Sequence, residues 1–233
     1  MSVDVRSSQA SGADSVRRRF ERSLAQAKRS DEPYRHWMMS EVFPEPVVDA
    51  LASLPFEAPD LGGVSGAREL HNDTRSYFDE ANQARFSVCA DVAAAFQQPE
   101  MLDLIETVTG ADLDECFLRI EYATDIDGFW LKPHTDLGVK RLTLLYYLGG
   151  DGQSDLGTDV YAAADAWSLR SDFRRNGAMM FVPSDHTWHG FEPRPIQGVR
   201  KSVIINYVTD EWRAREQLAY PAPVRASRSR RTA

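Results

Sequence analysis

The chain has 233 residues and a formal net charge of −8 at pH 7, with seven Lys/Arg against three Asp/Glu in residues 1–30, four Arg and no acid in residues 222–233, and a strongly acidic body between them. An acidic body argues against nucleic acid as the partner, because phosphate-backbone binding needs a clustered basic face. No apolar run reaches membrane-span length, the N-terminus lacks the apolar stretch of a secretory signal, and two cysteines (Cys89 and Cys116) make no disulfide framework, which together suggest a cytoplasmic protein with no membrane partner.

Residues 1–13 are rich in Ser, Gly and Ala and are expected to be loose, while 14–29 reads as a charged helix with a thin apolar stripe at Val16, Phe20 and Leu24. Residues 1–30 therefore form a basic, partly disordered segment ahead of a single domain over 31–221, with a disordered basic tail over 222–233. Within the domain, 34–43 reads as a strand, and Pro44-Glu45-Pro46 opens a helix running through Leu54, with proline in the first turn where its missing N–H is harmless. The stretch 56–79 has Gly, Pro and Asp without periodicity and reads as a long loop, the kind of segment that tends to carry function. Next, 80–97 places Phe86, Cys89, Val92, Ala93 and Phe96 on one face, and 99–109 does the same with Met101, Leu102, Leu104, Ile105 and Val108 before Gly110. The helical support thus spans 44–110. From 112 to 209 the texture changes to eight short β-rich runs: 116–123, 128–135, 140–148, 157–162, 166–169, 177–183, 187–192 and 199–208. Eight strands without helical periods between them predict a sandwich or small barrel.

The chemistry gathers in that second half. His134 and Asp136 are two apart, so in an extended strand both side chains point to one face. A His-x-Asp pair joined by a distant His189 is the pattern of the two-His-one-carboxylate triad that holds non-haem Fe(II) by one side. His186 is the rival distal ligand; its position three residues earlier faces the other side of a strand and sets a less suitable register to Arg200. After His189 the chain can return antiparallel, placing Arg200 and Ser202 on one face and Lys201 on the other. A guanidinium fixed inside a barrel suits a planar carboxylate, which it grips through two charge-assisted hydrogen bonds. His36 and His71 read as hydrogen-bonded bystanders.

These residues resemble a family, the Fe(II)/2-oxoglutarate-dependent oxygenases, and within it the prolyl-hydroxylase-like members. The likeness runs through Glu121-Tyr122, Pro133-His134-Thr135-Asp136, Arg141 to Leu148, Leu156-Gly157-Thr158, Phe181-Val182-Pro183-Ser184, Trp188-His189-Gly190-Phe191 and Gly198 to Ser202. It is strong over 116–212 and faint over 34–55. The resemblance implies a mainly β fold with N-terminal helices, the double-stranded β-helix, a jelly-roll or cupin-like barrel. It implies that His134, Asp136 and His189 bind Fe(II) and are the catalytic ligands. It further implies that Arg200 grips the distal carboxylate of the co-substrate 2-oxoglutarate, with Ser202 and Tyr147 hydrogen-bonding beside it and Thr143 on the same strand face as Tyr147. Tyr122 either reaches that pocket or packs in the core, and Arg119, three residues earlier, is expected to face the other way from Tyr122 as an ion-pair partner. With O2, such an enzyme releases succinate and CO2 while oxidising a C–H bond.

Asp136 favours hydroxylation or desaturation, since the family's halogenases lack this carboxylate. Asn206 stands where nucleic-acid repair relatives carry a second arginine. The expected substrate is a small anionic metabolite, an amino acid or derivative, held by Arg75 with Trp130 near the entrance; the rival reading pairs Arg75 with Asp73 or Asp79 on a solvated loop. Peptidyl prolyl hydroxylation and a non-catalytic barrel binding metal or 2-oxoglutarate are the alternatives.

Overall fold

In the computed structural model the chain is described over residues 4–58, 75–136 and 138–227, with side chains from residue 12 onward. Numbering strands in chain order, the larger antiparallel sheet runs β1 (Lys28–Ser30), β2 (His36–Ser40), β9 (Arg175–Phe181), β6 (Lys140–Leu148), β11 (Arg200–Val208), β4 (Phe117–Asp125), β3 (Ser76–Tyr77). The smaller runs β5 (Leu131–His134), β10 (Trp188–Phe191), β7 (Asp159–Ala163), β8 (Ala166–Arg170). Strands β4 to β11 match the eight expected β-rich runs, with ends shifted by a few residues.

Alternation along each strand of the larger sheet divides the interior in two. Leu118, Ile120 and Tyr122 of β4, Leu142, Leu144 and Tyr146 of β6, and Val203, Ile205 and Tyr207 of β11 pack beneath the helices. Leu145, Tyr147, Met179 and Phe181 face the smaller sheet. Because both faces of β6 and β9 are covered, these strands read as nearly unbroken apolar runs.

The helices are α1 (Asp4–Ala25), α2 (Glu45–Ala52), α3 (Glu80–Arg85), α4 (Ser87–Gln97) and α5 (Pro99–Thr109). Two expectations about the termini are corrected. Helix α1 begins at Asp4 rather than near residue 14, and its stripe Ala13, Val16, Phe20 and Leu24 is buried. The reason is an aromatic anchor: the Phe20 ring meets Phe96 of α4 edge-on at 5.1 Å. At the other end, 222–227 is not a loose tail. The Val224 N–H donates to Cys116 O at 2.7 Å, and the Arg225 guanidinium reaches Asp103, Glu106 and Asp114. Residues 228–233 lie outside the described residues, as do His71, Asp73 and most of the 56–79 loop.

The helix expected over 80–97 is two. Phe86 is extended (φ −129°, ψ 111°), ending α3 and starting α4, while the Asp79 side chain caps α3 by accepting from the Asn82 N–H at 2.8 Å. Both cysteines are buried and unbridged, and burial pushes each thiol up to about 12. Among the described residues no helix is long and apolar enough to cross a membrane.

Candidate active site

The site lies between the two sheets and is assembled from five strands. Register pairs His189 of β10 with His134 of β5, and their rings lie 4.4 Å apart between centroids. Asp136, just past β5, completes the group: one ligand atom from each of His134, Asp136 and His189 lies within 4.8 Å of the others. Gly190 beside His189 permits this close pairing of strands, since a Cβ there would sit 2.7 Å from Leu131 O.

Both histidines are prepared alike. His134 Nδ1 bonds to Lys132 O at 3.0 Å and His189 Nδ1 to Thr187 O at 2.9 Å. A carbonyl only accepts, so each Nδ1 carries the proton and each Nε2 presents the lone pair a divalent metal takes. Burial pushes His189 down to about 4, outweighing the upward pull of Asp136, while His134 pushes the same way as burial. At neutral pH the ring is uncharged, the form a metal binds. His186 is exposed and sits beside Asp185, away from the other ligand atoms.

The same cavity that His134 and His189 line is walled at depth by Tyr147, Arg200 and Ser202. Arg200 Nη1 donates to Asp125 Oδ2 at 2.6 Å and Nε to Leu156 O at 2.7 Å, and the guanidinium lies 4.8 Å from the ring centroids of both Phe173 and Phe191. The Tyr147 hydroxyl contacts Thr158 Oγ1 at 3.0 Å and Ser171 Oγ at 2.8 Å. Lys201 points to the other face, donating to Ala52 O at 2.8 Å.

Three expected site residues stand elsewhere. Tyr122 is on the helix-facing side of β4, its hydroxyl donating to Leu51 O at 2.9 Å and its ring 5.2 Å from Phe56; strand parity, with Glu121, Ala123 and Asp125 lining the cavity, turns it away. Thr143 faces Asp136, donating to its Oδ2 at 2.8 Å. Trp130 is half-buried and outside the cavity lining, where its neighbour Phe129 takes the place.

Arg75 is not on a solvated loop but lines the same cavity. Its side chain is 6 % exposed, with Nη1 2.8 Å from Asp125 Oδ1 and Nε 3.6 Å from Glu121 Oε1. Glu121 Oε2 in turn holds Arg119 at 2.7 Å. Arg75 and Arg200 therefore meet Glu121 and Asp125 in the cavity wall, with Arg119 held by Glu121 outside the lining. Sequence reasoning missed Asp125 and the bridging role of Glu121. The signal was present: Arg119, Glu121 and Asp125 share one parity on a strand whose other parity begins Leu118, Ile120, Tyr122.

No protein-family model matches the chain, and no curated protein sequence matches it. Solved structures do. A prolyl-4-hydroxylase from Pseudomonas putida superposes with a TM-score of 0.53 at 17 % identity, over 85 % of this chain and 94 % of that one. A prolyl hydroxylase from Trichoplax adhaerens, in complex with a hypoxia inducible factor peptide fragment, gives 0.54 at 14 % over 87 % and 93 %. HygX from Streptomyces hygroscopicus, with nickel and 2-oxoglutarate bound, gives 0.50 at 15 % over 76 % and 84 %. The fold is thus that of the prolyl hydroxylases, the double-stranded β-helix.

Proposed function

We propose that the chain is an Fe(II)- and 2-oxoglutarate-dependent oxygenase that hydroxylates an unactivated C–H bond. The observation that carries this reading is one cavity lined both by His134 and His189, which with Asp136 would hold the metal, and by Arg200, which would take the distal carboxylate of a short 2-oxo diacid. The donor set of two imidazoles and one carboxylate fits a divalent non-haem iron. Arg200 and Arg75 both line that cavity, and a guanidinium there suits a distal carboxylate, whose burial without a partner would be costly. Bound there, iron supplies oxygen activation with oxidative decarboxylation of 2-oxoglutarate to succinate and CO2.

The chain's own work is positioning. His134 and His189 hold their Nε2 lone pairs inward through the carbonyls of Lys132 and Thr187. Arg200 orients the co-substrate, with Ser202 and the Tyr147 ring alongside. Phe129, Phe191 and Leu131 line the remainder with apolar surface that excludes water.

For the prime substrate we retain a small anionic molecule such as an amino acid or derivative, with Arg75 engaged by Asp125 and Glu121 in the cavity wall. Peptidyl prolyl hydroxylation is the second reading, favoured by the fold shared with the peptide-bound Trichoplax structure. A succinate-release screen with amino acids, their conjugates and proline-containing peptides separates the two.

The reading is tested first without substrate. Anaerobic Fe(II) plus 2-oxoglutarate should produce a visible metal-to-ligand charge-transfer band in wild type and in His186→Ala, and none in His189→Ala. A wild type without the band contradicts the proposal; a band lost only in His186→Ala moves the distal ligand.

A further inference from the structure

The two oxygens of the Asp136 carboxylate are engaged by donors of different kinds. Thr143 Oγ1 donates to Oδ2 at 2.8 Å, and the Lys140 ammonium sits against Oδ1. The direction of the first contact is enforced from behind. Asn206 Nδ2 donates to Thr143 Oγ1 at 2.9 Å, and Asn206 Oδ1 accepts from Arg119 Nη1 at 3.4 Å. A guanidinium has only protons to offer, so reversing the amide would set donor against donor. Once Thr143 has accepted the amide proton, its own proton goes to Asp136. Arg119 is 1 % exposed and anchored by Glu121 Oε2 at 2.7 Å and Gln217 Oε1 at 2.9 Å. The chain Arg119, Asn206, Thr143, Asp136 is therefore a one-way series of donors.

The second contact differs. The side chains of Lys140 and Asp136 are only 5 % and 3 % exposed, and a buried carboxylate without a cation is strongly disfavoured. Two cations cannot share one buried oxygen without repulsion. We infer that Thr143, aimed by Asn206 and Arg119, holds Asp136 so that Oδ1 is the ligating oxygen, and that Lys140 is a resident cation which the metal displaces from Oδ1. This rests on reading His134, Asp136 and His189 as the metal ligands. The displaced ammonium has a place to go: the cleft beside it is bordered by Asp112 and Asp185. Lys140 thereby stabilises the metal-free protein and by the same amount opposes metal entry, while Thr143 favours the metal-bound geometry; both are positioning residues.

The test is Fe(II) affinity of the full chain, measured anaerobically by calorimetry and repeated with Co(II) absorption. Thr143→Val and Asn206→Leu should each weaken binding by about 10–100-fold, the usual effect of removing a partner of a metal ligand. Lys140→Met should strengthen it by about tenfold or more, because a charge repelling the metal at contact range is gone, and should lower the melting temperature of the metal-free protein. Thr143→Ser and Lys140→Arg should stay at wild-type affinity. Opposite signs separate this assignment from a structural role, which would weaken binding in every variant. If Lys140→Met does not fold without metal, Lys140→Gln, which keeps N–H donors but no charge, should show the same rise. Unchanged or weaker binding in the neutral Lys140 variants, or unchanged binding in Thr143→Val, overturns the inference. A wild type that binds no Fe(II), or whose binding survives His189→Ala, overturns the metal reading itself.

Discussion

Arg200 and Arg75 show how far a single residue's role depends on what lies opposite it. From spacing, Arg200 was a carboxylate clamp and Arg75 a handle for a different molecule. In the fold one carboxylate, Asp125, bridges them, with Oδ2 on Arg200 and Oδ1 on Arg75. The two guanidiniums therefore belong to one wall of one cavity. Replacing Arg200 with Ala should cost about 2–5 kcal/mol of 2-oxoglutarate binding, the usual loss when a buried charge-assisted pair loses one member, with Fe(II) binding retained. Arg75→Ala should weaken the co-substrate less but measurably, since Asp125 would then repel the incoming carboxylate with less compensation. Titrating the charge-transfer band with 2-oxoglutarate reads both. If Arg75→Ala leaves that titration unchanged yet abolishes coupled product, Arg75 is a substrate handle after all. The grouping of His134, Asp136 and His189 was legible because the pattern a metal needs is local: two residues two apart and one histidine with a fixed register. The placement of Arg75 was not, because pairing Ser76 with Tyr122 and Tyr77 with Glu121 is a long-range register that a two-residue strand does not announce.

Among the elements, the strands of the second half were readable from alternation and turn residues, and the break at Phe86 was not, since an apolar residue in a helical face carries no sign that its backbone is extended. The smaller sheet holds another feature hidden from sequence. Asp159 of β7 is fully buried and accepts from the Glu192 N–H at 2.8 Å, Arg194 Nη1 at 2.6 Å and Arg170 Nε at 2.7 Å. It thereby ties β7 and β8 to the chain leaving β10, the strand that presents His189. Desolvation raises its carboxyl, but the Glu192 N–H and the two arginines prevail and hold it below its ordinary value of 3.8. A group depressed in the fold contributes stability that is complete above its unfolded value and lost as pH falls through the folded one. Asp159→Asn should therefore cost about 3–5 kcal/mol near neutrality, as expected when one member of a buried pair is removed. The gap from wild type should narrow as pH drops below 3.8. Urea denaturation at pH 7 and pH 3 measures both, and a gap independent of pH would mean that the lost packing, not the charge, is what Asp159 supplies.

At the scale of the whole molecule, the question is whether the basic ends are appendages or part of the catalytic body. Charge and composition suggested appendages, because arginine-rich stretches are usually solvated. Packing says otherwise for the described parts of both. Phe20 of α1 abuts Phe96, Phe96 abuts Phe43 at 6.2 Å, and Phe43 lies 4.5 Å from Tyr146 of β6. Tyr146 is the immediate neighbour of Tyr147, whose ring faces the opposite side of the strand and lines the cavity. An unbroken row of aromatic contacts thus runs from the N-terminal helix to the strand behind the cavity. The thin stripe predicted at Val16, Phe20 and Leu24 suffices because aromatic area, not stripe width, anchors the helix. Phe20→Ala should therefore destabilise by about 3–5 kcal/mol, the cost of a cavity at a fully buried phenylalanine. The loss should be global: far-ultraviolet circular dichroism and binding of 2-oxoglutarate to the Fe(II)-loaded protein should fail at the same denaturant concentration, as one cooperative unit requires. If α1 were an accessory arm, the variant would lose helix signal at low denaturant while the pocket kept its affinity, and the two transitions would separate.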